Sequence, residues 1–366
     1  MRYRNVCIES FGYTLPDEII TSDEVERRLA PLYQRLRLPE GRLELMTGIR
    51  ERRFWPAGTL PSEHSAKSAE RALAAAKIDR REIGALLHAS VCRDYLEPAT
   101  ACVVHRALGL QPECQVYDVS NACLGFLNGM LQLANLIELG QIRAGIVVAT
   151  EGSRELVENT IEHLNADTSL TRETVKLAVA SLTIGSGSVA AVLCDRELSR
   201  FDNRLLGGVH LADTSGAGLC HSGRDEAAGN GMRPLMRTDS EALMHAGVAL
   251  GQRAFQRLLS EMQWTTDRIT KTFCHQIGVG HRKLMFESLG LETSLDFATL
   301  GWLGNTGSVA LPITMAIGIE QGHLKPQDQV ALMGIGSGIN TVMLGVDWQK
   351  SPVAAVREPV GSAAAG

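Results

Sequence analysis

No stretch of the 366 residues approaches the roughly 20 apolar residues that a membrane-spanning helix needs. The start, Met1-Arg2-Tyr3-Arg4-Asn5-Val6-Cys7, lacks the apolar region of a secretory signal. Cys-x-x-Cys pairs are missing, and no Cys/His spacing fits zinc. The eight cysteines (positions 7, 92, 102, 114, 123, 194, 220 and 274) therefore make no metal framework. There is no basic block either. The 36 Lys and Arg against 41 Asp and Glu leave a net charge of −5, which argues against a nucleic-acid partner. What remains is a soluble cytoplasmic chain with reduced thiols, long enough to bury one large core or two ordinary ones.

Strands alternate with helices, which implies an α/β fold. Residues 6–10 read as a strand. Ser22 to Leu38 reads as a charged helix with an N-cap at Thr21 or Ser22. A Gly turn opens the basic, aromatic-tipped run Gly48-Ile49-Arg50-Glu51-Arg52-Arg53-Phe54-Trp55, whose arginines are left unassigned. Ser62 to Ile78 is an Ala-rich helix, and Ala85 to Ser90 is a buried strand. Thr100 to Leu108 is a helix closed by Gly109.

One stretch organises the rest: Asp118-Val119-Ser120-Asn121-Ala122-Cys123-Leu124-Gly125-Phe126. A strand stops at a tight turn, offers one thiol and enters a long apolar helix. A thiol at a helix start is where the helix dipole favours thiolate, the nucleophilic form. Free cysteine is also a common buried packing residue. The helix has a narrow polar stripe at Asn128, Gln132, Asn135 and Glu138 and is otherwise apolar, so it should be buried between two sheets.

The chain repeats itself. Leu108-Gly109-Leu110 recurs as Leu289-Gly290-Leu291 at an offset of 181, and Gly140 recurs as Gly322 at 182. The second offset carries Cys123 onto Asn305, in the turn Gly304-Asn305-Thr306-Gly307-Ser308. In the second copy Ser294 to Phe297 stands where the strand before Cys123 stands. The expected organisation is a first half over 1–198 with an insertion or cap at 153–180, a second half over 199–349, and a disordered tail over 350–366. Residues 199–239 read as loops.

Phe273-Cys274-His275-Gln276 ends a strand, at the carboxyl end where α/β sites lie. The Gly-rich loops 184–188 and 334–338 do not fit a dinucleotide fingerprint.

With these motifs in order, the chain resembles the thiolase-fold condensing enzymes of the 3-oxoacyl-ACP synthase III group. The resemblance covers residues 1 to about 349. It implies a five-layered αβαβα sandwich of two repeats, acting as a homodimer. It also implies that Cys123 becomes acylated by an acyl thioester, splitting carbon–carbon bond formation into two steps. The backbone N–H groups of Cys123 and Ser337 would form one oxyanion hole. His275 and Asn305 would hold the carbonyl of the second thioester. No metal or cofactor is implied beyond the substrate, a fatty acyl-CoA or acyl-ACP, and the residues that bind the carrier stay unassigned.

Glu97, in Arg93-Asp94-Tyr95-Leu96-Glu97-Pro98, resembles the OleA type, which joins two acyl-CoAs. A malonyl donor makes its enolate by losing CO2. A plain acyl-CoA must lose an α-proton and needs a base, a role that falls to Glu97, acting in its own site or in that of a partner subunit. The alternative is decarboxylative condensation of an acyl-CoA with a malonyl thioester. Two departures from the OleA pattern are Gly278-Val279-Gly280-His281 and Gly125, which is expected to reshape a channel near Cys123.

Overall fold

The computed structural model describes residues 1–222 and 235–355. Strands β1 (Val6–Thr14), β2 (Ile83–His88), β3 (Gln115–Asp118), β4 (Ala144–Glu151) and β5 (Gly187–Asp195) lie in the order β3-β2-β4-β5-β1. Strands β6 (Arg204–Ala212), β7 (Lys271–Cys274), β8 (Gln329–Gly336) and β9 (Asn340–Asp347) follow in the order β7-β8-β9-β6. The β1–β6 edge joins the two sets into one mixed sheet. The directions repeat as well. Parallel pairing at β2–β4 and β7–β8 gives way to antiparallel pairing toward β5 and β1, and toward β9 and β6. The second-copy segment 294–297 is reduced to a single parallel bridge, Thr272 to Asp296, where β3 pairs with β2.

Helices lie in three layers. The helices Pro61–Ala76 (α1) and Thr100–Leu108 (α2) cover one outer face, where Ala69, Leu73 and Val104 meet Ile146 and Val192. The helices Ser240–Met262 (α4) and Val279–Leu289 (α5) cover the other, through Phe255, Leu258 and Phe286. Between them run Gly125–Glu138 (α3) and Ala310–Glu320 (α6). Leu127 of α3 reaches Gly334 on β8, while Gly129 of the same helix faces Val147 on β4. The helix is thus covered by both halves, as its composition requires. Its polar stripe faces outward, with Gln132 and Asn135 exposed, and holds the start of the chain. Asn135 accepts from the Tyr3 hydroxyl at 2.8 Å, and Glu138 accepts from the backbone amides of Arg4 and Asn5.

Several expectations change. The helix expected over 22–38 is two, Ser22–Arg28 and Ala30–Leu36, because Pro31 sits in the first turn of the second and cannot continue the first. Thr21 is the N-cap, accepting from the Glu24 amide at 3.1 Å. Both helices pack with Arg154–Ala166 into a separate apolar cluster containing Val25, Leu32, Val157 and Ile161. Residues 199–239 are not only loops. Arg204–Ala212 is a long interior strand, obscured by Gly207 and Gly208, where the N-terminal residues press on the sheet. Residues 223–234 of that run lie outside the described residues.

The tail expected to be disordered from Lys350 starts in order. Val353–Ala355 (β10) pairs in parallel with β1, and Asn203 Nδ2 donates to the Ser351 hydroxyl at 2.5 Å. Residues 356–366 lie outside the described residues.

Gly125 abuts backbone. A Cβ there would stand 2.8 Å from the Ala89 carbonyl oxygen, because α3 starts against the backbone that follows β2. Gly125→Ala should destabilise the fold by about 1–3 kcal/mol, the usual cost of overpacking. Urea melts against the parent check this, and an unchanged midpoint would refute the close contact.

Candidate active site

The two turns related by the repeat meet at the seam between the halves. The 3-10 turn Ala122–Leu124 contacts the turn Gly307–Val309. Ala122 holds φ at 45°, a left-handed conformation that L residues seldom adopt. The surrounding packing imposes this strain, and it sets Cys123 at the head of α3. The loop after β8 closes over the same turn, where a Cβ on Gly336 would stand 3.6 Å from the Cys123 nitrogen. Neither the Cys123 nor the Ser337 amide donates to a backbone carbonyl among the described residues. Asn340 Nδ2 ties the two turns, donating to the Ser337 carbonyl at 3.3 Å and to Asn121 Oδ1 at 3.4 Å.

Cys123 is not set up as a resting thiolate. Burial pushes its thiol up to about 12, and the Glu151 carboxylate and Cys220 add to the shift. Its own backbone N–H works the other way. Desolvation therefore outweighs the helix-start effect expected from the sequence. All eight cysteines are free thiols.

His275 follows β7, with its amide bonded to the Met333 carbonyl at 3.1 Å. The residue is 5% exposed, and neither ring nitrogen has a hydrogen-bond partner. Burial and the neighbouring His281 lower its pKa to about 3, so the imidazole is neutral. The next residue, Gln276, clamps the segment behind it, accepting from the Thr299 and Leu300 amides and donating to the Phe297 carbonyl. Asn305 is equally constrained. Its backbone bridges Thr183 and Gly185, and its Oδ1 accepts from the Gly307 amide at 3.0 Å. Fixing the oxygen leaves Nδ2 as the free donor. Two neutral donors, an imidazole and a carboxamide, suit a developing enolate oxygen.

Glu97 is exposed on the single subunit. Val91, Tyr95 and Leu96 on the same segment are each at least half exposed. Arg52 is fully buried, donating to Ser22 Oγ at 3.1 Å and to the Ile20 carbonyl, and Arg53 donates to the Pro16 carbonyl. These two hold local structure. No group of three His, Cys, Asp or Glu is placed to hold a metal among the described residues.

Two residues beside the site were not assigned to it from the sequence, although His281 stands in one of the two departures noted there. His281, in the first turn of α5, lines a small cavity with His275, Met333 and Ile335. Glu151 ends β4 beside Cys123. An acid closing an otherwise apolar strand at its carboxyl end was the available signal.

The buried imidazoles make the fold acid-sensitive. His275 at about 3, and His64, His88 and His281 at about 4, are all depressed by desolvation. An unfolded histidine titrates near 6.5, so unfolding takes up protons below that pH. Stability is present above about pH 6.5 and is lost as pH falls toward the folded values. Asp296, raised by burial to about 6, opposes this with one group against these four and His323, which burial also lowers. Tm should drop between pH 7 and pH 5, and a flat profile would refute neutral burial.

Residues 259–348 match the C-terminal domain of 3-oxoacyl-[acyl-carrier-protein] synthase III. The chain is 43% identical to the acyl-CoA:acyl-CoA alkyltransferase of Shewanella oneidensis over 351 residues, covering 95% of this chain and all of the relative. It is 34% identical to the Xanthomonas campestris pv. campestris enzyme of the same name over 348 residues, with 95% and 100% covered. A crystal structure of a glutamate variant of Xanthomonas campestris OleA matches with a TM-score of 0.89 at 34% identity, covering 95% of this chain and 99% of that one. A cysteine variant of that OleA, with lauric acid and lauroyl-CoA bound, matches with a TM-score of 0.88 at 34% identity, covering 94% and 100%. The chain belongs to the acyl-CoA:acyl-CoA alkyltransferase family, the OleA-type acyltransferases of the thiolase fold.

Proposed function

We propose that this acyltransferase joins two fatty acyl-CoAs head to head by a Claisen condensation without decarboxylation. The observation that carries the reading is the buried, neutral His275 with both ring nitrogens unpartnered, together with Asn305 held so that Nδ2 is its free donor. Cys123 sulfur attacks the first thioester, its proton leaves with CoA as the thiol, and an acyl-Cys forms. The Cys123 and Ser337 amides receive the carbonyl oxygen during this transfer. The second acyl-CoA then places its carbonyl oxygen on His275 and Asn305. Glu97 removes the α-proton, the enolate carbon attacks acyl-Cys, and Cys123 leaves as thiolate. The product is a 2-alkyl-3-oxoalkanoyl thioester, which hydrolysis converts to the acid.

The enzyme works as a homodimer in the cytoplasm. The exposed Val91, Tyr95 and Leu96 support the dimer, since such a cluster is covered at lower cost by a second copy than by water. The two halves divide near residue 198, just before β6.

Incubating the protein with one long-chain acyl-CoA tests the reading. Mass spectrometry should find the 2-alkyl-3-oxo acid or the ketone it decays to. Product that appears only when a malonyl thioester is added would replace this reading with the decarboxylative one.

A further inference from the structure

Glu151 is 5% exposed, and the hydrogen bonds its carboxylate accepts among the described residues come from two segments that lead to the site. Oε1 accepts from the Val91 amide at 2.9 Å and Oε2 from the Cys92 amide at 3.1 Å. That segment runs on to Glu97. Oε1 also accepts from the Ser308 hydroxyl at 2.5 Å, three residues beyond Asn305 and in the other half of the chain. The intervening Gly307, whose amide holds Asn305 Oδ1, lies so close that a Cβ on it would meet Glu151 Cγ at 3.4 Å. The Glu151 main chain is pinned too, since its carbonyl accepts from Trp55 Nε1 at 3.0 Å.

A buried carboxylate is costly unless it is fully hydrogen-bonded. An apolar residue would fill this end of β4 without that cost. The site retains a charge whose bonds run to both segments at once.

We propose that Glu151 is a positioning residue for condensation: its buried carboxylate fastens the segment leading to Glu97 to the turn carrying Asn305. The clamp fixes the Asn305 carboxamide in its own site and the direction in which the Glu97 segment leaves the subunit. The inference rests on the roles given above to Cys123, Asn305 and Glu97. Glu151 also presents a fixed negative charge to Cys123. The groups that bear on that thiol are Glu151 on β4 and Cys220 on Cys220–Ser222. Those that bear on the adjoining Cys92 are Glu151 and Glu155.

Two variants separate the clamp from the charge. Glu151→Gln removes the charge and sets an amide N–H against a backbone N–H. Ser308→Ala removes one tie and leaves the charge. Three readouts apply: single-turnover CoA release on acylation, condensed product from acyl-CoA, and the pH profile of Cys123 alkylation by iodoacetamide.

Glu151→Gln should keep acylation within about threefold and lower condensation roughly 10–100-fold, the scale of a misplaced reacting group. Its alkylation profile should move to lower pH, since the Glu151 charge raises the thiol. Ser308→Ala should lower condensation in the same sense with the alkylation profile in place, and it carries the test if Glu151→Gln does not fold. Condensation within threefold of the parent in either variant, or acylation and condensation falling together, would overturn the proposal. If the parent makes no condensed product from acyl-CoA alone, the proposed function fails separately. In that case condensation is measured with whichever second thioester the parent accepts.

Discussion

Cys123→Ala should end covalent acylation. Intact-mass spectrometry after exposure to a long-chain acyl-CoA should show no adduct, and CoA release should fall by roughly 10⁴-fold or more, as when a nucleophile is removed outright. The Cys123 sulfur is the thiol that the strained Ala122 turn, the head of α3 and the β8 loop converge on. Seven other free cysteines remain in the variant, and none should substitute. Cys92 and Cys274 are pushed far up by burial and by the carboxylates of Glu151 and Asp296. The parent thiol carries a further signature. With its pKa pushed up to about 12, the thiolate fraction at pH 8 is about 10⁻⁴. Alkylation of Cys123 should therefore climb about tenfold for each pH unit between 7 and 10. An adduct on the alanine variant, or an alkylation rate flat above neutrality, would show that another group is the nucleophile or that the thiol is not desolvated.

The fold was legible largely because it is written twice. An offset of 182 carries Gly140 onto Gly322 and Cys123 onto Asn305, and the structure sets the two turns in contact. The helix at 125–138 could be placed between layers from its narrow polar stripe, since only burial on both sides tolerates so much apolar surface. Two features resisted. Strand Arg204–Ala212 contains Gly207 and Gly208, which erase the alternation that marks a strand, and the reason lies in residues at the far end of the chain. Glu151 resisted because its role is not local. A carboxylate bonded to residues 91, 92 and 308 has no spacing that a linear pattern can report. The state of the Cys123 thiol was misjudged for a related reason. A helix start is visible in sequence, whereas the burial that outweighs it comes from tertiary packing, in which the 307–309 turn and Gly336 close on the Cys123 turn.

Glu97→Ala should separate the two half-reactions. Cys123 should still acylate, giving a burst of one CoA per subunit. Condensation should fall by roughly 10²–10⁴-fold, the usual contribution of a positioned base. A saturated acyl-CoA has no carboxylate to lose, so its α-proton needs an acceptor beside the carbon, and the proposed mechanism gives neutral His275 to the carbonyl oxygen. On one subunit Glu97 is exposed, on a segment whose Val91, Tyr95 and Leu96 are also left to solvent. Such a residue becomes a useful base only where another surface removes water from it. A mixed dimer decides whose surface that is. Pairing a Glu97→Ala subunit with a Cys123→Ala subunit leaves one site with an intact thiol and a partner that still carries Glu97. If the base is delivered across the interface, this dimer condenses at one working site although each parent homodimer is inactive. If the base acts within its own subunit, the mixed dimer is as inactive as its parents. Unchanged condensation in the Glu97→Ala homodimer would remove Glu97 from the reaction altogether.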